Sequence, residues 1–336
     1  MTLRVNGKSE SKPVVGFVVS RIGGEDGVSL EVMHWIRIYL RQGLEVHIFT
    51  GQRADGHELS ELEGIGVTVK VTPLADPNPE DPENIEEFAR LHEPGRRDPR
   101  VVEERLLPRA RAIADELRVW VERRSIGLLH AENFTLPFYH LAMGIAVAMV
   151  VEEQSIPTIS RGHDFPDDRE DLYHWSTTLP ETREVVNRTY MRSPSVGNVA
   201  INTKEARYFA ARGIHDVMVI PNTIDVHDPR VTKKVSSEKL AELRRVILGR
   251  DDPSTFIALA PVRPVSRKRL DVGIRFLQLV LEGLRVHAPE ARIAMLITHD
   301  LVDGKPQELE ALERAAGQQP AIELIYGSER LRQYAA

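Results

Sequence analysis

The stretch PVVGFVVSRIGGEDGVSLEVMHWIRIYLRQGLEVHIFT, residues 13–50, decides the fold. Pro13 to Ser20 is an apolar run rich in valine, the composition of a strand buried on both faces. The glycine-rich turn Gly23-Gly24-Glu25-Asp26-Gly27 then separates it from a helical pattern. In that pattern Val28, Val32, Trp35 and Tyr39 recur at spacings of four, three and four, so they share one face, and Gln42-Gly43 supplies the stop. Glu45 to Thr50 is a second strand. Strand, helix and strand in that order imply parallel strands joined by a right-handed crossover.

The alternation continues downstream. A helix is expected around Arg109 to Arg123, a strand at Gly127 to His130, a helix at Pro137 to Glu153 and a strand at Pro157 to Ser160. Asn198 to Ile201, Thr203 to Ala211 and Val217 to Ile220 read as strand, helix and strand. Residues 74–109, rich in Pro, Asp, Glu and Arg, read as a surface insertion containing short helices. Residues 1–225 therefore form a first doubly wound domain, and the Pro-containing segment 226–234 reads as a hinge. A second α/β pattern fills 235–336: strands at Thr255 to Pro261, Arg292 to Ile297 and Ile322 to Ile325, with Leu270, Ile274, Leu277, Leu281 and Leu284 marking the buried face of a helix. Three strands fall short of the five or six usual in a doubly wound sheet, so this second domain reads as incomplete.

Composition narrows the function. The 336 residues, 42% hydrophobic and 28% charged, suffice for two domains of roughly 150 residues each. There is no cysteine, which excludes disulfides, thiolate metal sites and cysteine nucleophiles, and makes a reducing cytoplasm the simplest setting. The polar stretch Met1 to Lys12 lacks a signal-peptide core, and the apolar run Leu141 to Val151 falls short of the ~20 residues a membrane span needs. A net charge of −6 argues against a nucleic-acid binder, whose affinity comes from clustered Lys and Arg.

Three segments sit where such sheets bind ligands, at the carboxyl ends of strands. Gly23, Gly24 and Gly27 would let the backbone approach a diphosphate, although a tight turn explains glycines equally well. Arg263 and Lys268, five residues apart on the loop Arg263-Pro264-Val265-Ser266-Arg267-Lys268, could clamp a diphosphate as a fork and a point charge; a solvated basic loop is the alternative. In Ser160-Arg161-Gly162-His163-Asp164-Phe165, His163 can orient a sugar hydroxyl or ligate a metal; a structural histidine is the alternative. Asp167, Asp168 and His174 follow closely, but without zinc-ligand spacing, so no metal is expected.

In combination these pieces resemble the retaining GT-B glycosyltransferases usually numbered family four. The matching residues are the glycine turn with Asp26-Gly27-Val28-Ser29-Leu30-Glu31 and 43–50, Glu132-Asn133-Phe134-Thr135-Leu136-Pro137, and Gly162-His163-Asp164-Phe165. Ile201-Asn202-Thr203, Val219-Ile220-Pro221-Asn222-Thr223-Ile224-Asp225 and 261–269 complete the set. The resemblance implies two Rossmann-like domains, an acceptor-side domain followed by a nucleotide-sugar donor domain. It implies that Arg263 and Lys268 neutralise the leaving diphosphate, that Gly23, Gly24 and Gly27 face it, and that His163 lies near the transferring sugar. Asn133 and Asp164 would lie on the acceptor side. A nucleoside-diphosphate sugar serves as co-substrate and no further cofactor is implied.

The family's second domain continues through a Tyr-Glu-Gly-Phe-like stretch to paired glutamates spaced seven residues apart, which 322–336 does not contain. The sequence therefore reads as a truncated gene product, or as a protein whose remaining part another chain supplies. Two other readings compete with a working transferase: a non-catalytic sugar- or nucleotide-binding remnant, and a GT-B-fold sugar-nucleotide epimerase. The absence of a basic amphipathic helix favours a small soluble acceptor over a lipid, and no stable membrane insertion.

Overall fold

A computed structural model describes residues 13–24, 26–75, 82–135, 141–222, 234, 236–250, 252–262, 264, 268–298, 306–317 and 321–326. The chain divides into two compact units, 1–224 and 225–336.

The first unit is built on a seven-stranded parallel sheet in the order β3-β2-β1-β4-β5-β6-β7. At its centre lie β1 (Val14–Ile22), paired in register with β2 (Val46–Arg53) through Val15 and Val46, and β4 (Ile126–Glu132). Val15, Phe17, Val18 and Val19 are wholly buried, as a valine-rich central strand covered on both faces must be. Outward lie β5 (Thr158–Gly162), β6 (Val196–Ala200) and the edge strand β7 (Val217–Val219). The opposite edge is β3 (Thr68–Val71), preceded by the helix α2 (His57–Gly64); the sequence reading contained neither.

Helix α1 (Gly27–Arg41) starts at Asp26, whose carboxylate accepts from the Val28 and Ser29 N–H groups at 3.1 Å. It ends in a Schellman motif. Gly43, at φ 69°, donates to Leu40, and Leu44 donates to Tyr39. Its buried face carries Val32, Met33, Ile36 and Tyr39, with Val28 and Trp35 packed at the margin. The apolar run near residue 141 forms α5 (Leu141–Gln154), apolar all round and sunk into the core against α4 (Leu107–Arg123). Among the described residues no helix is long and apolar enough to cross a membrane.

Residues 74–109, expected as a surface insertion, contribute to the core instead. They contain α3 (Pro82–His92) and one wide helical turn at Val102–Leu106, and they bury Ala89, Leu91, His92, Val101, Val102 and Leu106. Their charges pair with one another, Arg90 with Asp98 at 2.8 Å and Arg105 with Glu83 at 2.7 Å. A charge-rich composition thus conceals a few apolar anchors. The short α6 (Glu170–Tyr173), α7 (Pro180–Arg188) and α8 (Thr203–Ala211) complete the unit.

In the second unit β8 (Thr255–Ala260), β9 (Arg292–Ile297) and β10 (Ile322–Tyr326) form a parallel sheet in the order β10-β9-β8. Around it lie α9 (Ser237–Leu248), α10 (Leu270–Arg285) and α11 (Pro306–Gly317). Leu270, Ile274 and Leu281 of α10 are buried, as their spacing predicts. β8, the first strand of this unit in chain order, lies at the sheet edge among the described residues, with Phe256 48% and Leu259 63% exposed. On α10, Phe276 and Leu279 are exposed as well.

Candidate functional site

The carboxyl ends of β4 and β5 place a cluster of charged side chains inside the first unit. Arg161, the last residue but one of β5, is 0% exposed. Its Nη2 donates to Glu31 Oε1 of α1 at 2.9 Å and to Asn222 Oδ1 at 2.7 Å, and its Nη1 donates to Glu132 Oε1 at the end of β4 at 3.2 Å. Trp35, one turn beyond Glu31 on the same helix, donates its indole N–H to Glu31 at 3.2 Å and lies 5.4 Å beneath the guanidinium. A fully buried arginine is tolerated because a carboxylate lies on each side of it and a cation–π contact takes its face.

Glu132 is the centre of the cluster. Its Oε1 also accepts from His163 Nε2, and its Oε2 lies 3.0 Å from His130 Nε2, a close polar contact without hydrogen-bond alignment. Burial pushes the Glu132 carboxyl up, but the contacts with His130 and His163 outweigh it and hold the pKa at about 2. His130 stacks on Phe17 with ring centres 4.5 Å apart and meets the Tyr39 hydroxyl at 3.2 Å. Burial, and then the Glu132 charge, raise the Tyr39 phenol to about 12.

His163 follows β5 directly and is 9% exposed. Both its ring nitrogens face protein groups: Nε2 meets Glu132, and Nδ1 has Asn222 Nδ2 at 3.5 Å. Asn133, at φ 63°, turns its Oδ1 onto the backbone N–H groups of His163 and Asp164 at 3.1 and 3.3 Å. In this arrangement the Asn133 side chain shapes the loop. Asp164 is partly exposed and pairs with Arg169 at 2.8 Å. Asp167 and Asp168 are bound by Arg212 and by Lys204 with Tyr208. Among the described residues no group of His, Asp or Glu is placed to hold a metal ion.

Beside this cluster Glu205, in the first turn of α8, is nearly buried. Its Oε2 accepts from the Ile201 N–H at 3.1 Å. Burial raises its carboxyl to about 7, against the pull of the Ile201 and Asn202 hydrogen bonds.

The glycine turn divides by role. At Gly23, φ is 87° and a Cβ would stand 2.1 Å from the Ala54 carbonyl oxygen, while a Cβ on Gly56 would stand 2.2 Å from the Gly23 oxygen. The loops after β1 and β2 therefore cross backbone against backbone, which by itself requires Gly23. At Gly24 a Cβ would lie 3.1 Å from Asp26 Oδ2, and at Gly27 it would meet nothing within 4 Å. Packing gives Gly27 no reason to be glycine. Two of the N–H groups at the start of α1, those of Val28 and Ser29, are taken by Asp26.

In the second unit Arg263 lies outside the described residues. Lys268 is exposed and precedes Arg269, which at φ 50° leads into α10. Sequence reasoning gave no role to Glu31, Glu132, Arg161, His130 or Asn222. The available signal was a charge on an otherwise apolar face: Glu31 one residue before Val32 on α1, and Arg161 within a strand.

No protein-family model matches the chain. Over 283 residues it is 25% identical to mannosylglucosylglycerate synthase of Thermotoga maritima, a match covering 80% of this chain and 57% of that protein. The chain thus spans a little over half the length of that relative. Among solved structures it resembles sucrose-phosphate synthase from Thermosynechococcus elongatus, with TM-score 0.53 and 11% identity over 93% of this chain and 70% of the other. It also resembles a glycosyltransferase from Rickettsia africae, with TM-score 0.51 and 14% identity over 94% of this chain and 68% of the other. The fold is that of the GT-B glycosyltransferases, with the second Rossmann-like unit represented in part.

Proposed function

We propose that this polypeptide is the larger part of a nucleotide-sugar-dependent glycosyltransferase that moves a sugar to an acceptor hydroxyl with retention of configuration. The observation that carries the reading is the similarity to a sugar-transferring synthase over 80% of the chain, joined to a polar cluster at the carboxyl ends of the parallel strands. The name of that relative describes a small glycosylated organic acid, which favours a small, polar, hydroxylated acceptor here over a lipid.

In this reading the departing diphosphate is the main charge that develops in the transition state, and cations supply the stabilisation. Arg263 and Lys268 carry that role, Gly27 leaves room at the start of α1, and His163 meets the sugar. Asn133 and Asp164 border the acceptor. The first unit supplies a rigid floor, because Arg161 joins α1, β4, β5 and the residues after β7.

The test is calorimetric titration of UDP, GDP and ADP and their glucose and mannose conjugates, followed by mass-spectrometric detection of transfer to small polyols and hydroxy acids. Selective binding in the micromolar range with transfer supports the reading. Binding without transfer would mark a sugar-nucleotide-binding remnant, and conversion of the nucleotide sugar without acceptor would mark an epimerase.

A further inference from the structure

Glu132 stands between two imidazoles and a guanidinium, and the geometry around His163 defines which of its nitrogens carries the proton. Glu132 Oε1 faces His163 Nε2, so that nitrogen must donate. Arg161 Nη1 stands 3.3 Å from the same nitrogen and itself donates to Glu132. On the other side of the ring, Asn222 Nδ2 lies 3.5 Å from Nδ1. The orientation of the Asn222 amide is not free, because its Oδ1 accepts from Arg161 Nη2 at 2.7 Å. Its N–H therefore points at Nδ1, which must hold a lone pair.

Resting on the glycosyltransferase reading above, we propose that Glu132 is a positioning residue which fixes His163 as the Nε2–H tautomer, so that Nδ1 accepts a hydrogen bond from a hydroxyl of the bound sugar or acceptor. The arrangement follows the logic of the serine-hydrolase triad, in which a buried carboxylate holds one ring nitrogen and leaves the other to act, with the two nitrogens exchanged. The contact of Asn222 with Nδ1 is long enough for an approaching hydroxyl to displace it. His163 is suited to this because it is the member of the pair at the margin of the core, 9% exposed, whereas His130 is 0% exposed and its Nδ1 meets Tyr39. His130 and Arg161, the latter anchored by Glu31, then hold Glu132 in place rather than meeting substrate.

Long-range ¹H–¹⁵N correlation spectra of the full chain labelled with ¹⁵N-histidine test this without any substrate. The His163 signals are those lost in His163→Gln among the 12 histidines. A ring protonated at Nε2 with a bare Nδ1 is expected. In Glu132→Gln that preference should relax to a mixture of tautomers, and in Glu132→Asp, which keeps the charge, it should persist. A ring protonated at Nδ1, or an unchanged tautomer in Glu132→Gln, overturns the assignment. Once transfer is measured, Glu132→Gln should lower kcat at least 10-fold with the donor KM little changed, as expected for a hydrogen bond that strengthens in the transition state; an unchanged kcat overturns it. Should no nucleotide sugar turn over, the function fails while the spectra still decide the tautomer.

Discussion

Replacing Arg161 with Met removes a wholly buried cation and leaves Glu31 and Glu132 facing each other across the space it held. Methionine fills a similar volume, so the loss is electrostatic rather than a cavity. Breaking a buried pair by removing one partner costs about 3–5 kcal/mol, a large part of the 5–15 kcal/mol typical of a domain. With a urea slope of about 2–3 kcal/mol/M the midpoint should fall by about 1–2.5 M. All three tryptophans, Trp35, Trp120 and Trp175, lie in the first unit, so their fluorescence follows that unit alone. Because the penalty is uncompensated negative charge, it should be smaller at pH 5 than at pH 8, where no carboxylate takes up a proton. Adding Glu31→Gln should recover part of the loss, with a coupling of about 1–3 kcal/mol between the two positions. A loss below about 1 kcal/mol, equal at both pH values, would refute the account, since it would mean that water already reaches the cluster.

Glu132, held at about pKa 2 in the fold, is depressed below its ordinary value, so its stabilisation is complete above pH ~4.5 and is lost as pH falls towards 2; acid titration of Glu132→Gln should lack that loss. Glu205 runs the other way. Raised to about 7, it binds a proton in the folded state that the unfolded chain releases, so it lowers stability as pH rises from ~4.5 to ~7. Glu205→Gln should therefore be more stable than the parent at pH 8 and show no such gain at pH 4, by thermal melts at both. Gly23→Ala should destabilise by more than ~1 kcal/mol, because its Cβ would overlap the Ala54 carbonyl at positive φ, whereas Gly27→Ala should be within ~1 kcal/mol of the parent or better; urea melts decide both. Lys268→Ala should lower sugar transfer by roughly 10²-fold, the scale of a lost charge-stabilising donor, and unchanged turnover would remove Lys268 from the leaving-group site.

β1 and β2 were legible because they are apolar runs rich in β-branched residues and buried over most of their length, and the Gly43 stop of α1 is local chemistry. β3 and α2 were not, because Thr68–Val71 is only half-covered and His57–Gly64 buries just Leu59 and Leu62, too little to show a period. The site was the least legible part. Glu132 and Arg161 are 29 positions apart, and Glu31 is 130 from Arg161. Each reads alone as a solvated charge, and only the fold brings the opposite signs together without water. His163 was singled out from its place at a strand end, but the side chains that pack around it come from segments 30 and 59 positions away.

The outer position of β8 among the described strands bears on how this polypeptide behaves in bulk. Thr255–Ala260 carries no charge and no proline, it is the outer strand of its sheet among the described residues, and Phe256 and Leu259 on it are exposed. Nothing in the strand repels a second copy. During synthesis and at high concentration, association should begin here, as concentration-dependent turbidity rich in intermolecular β structure, while the tryptophans of the first unit still report a native environment. A single lysine at position 259 would be the least disruptive remedy for a preparation that clouds on standing, since that side chain already lies mostly in water.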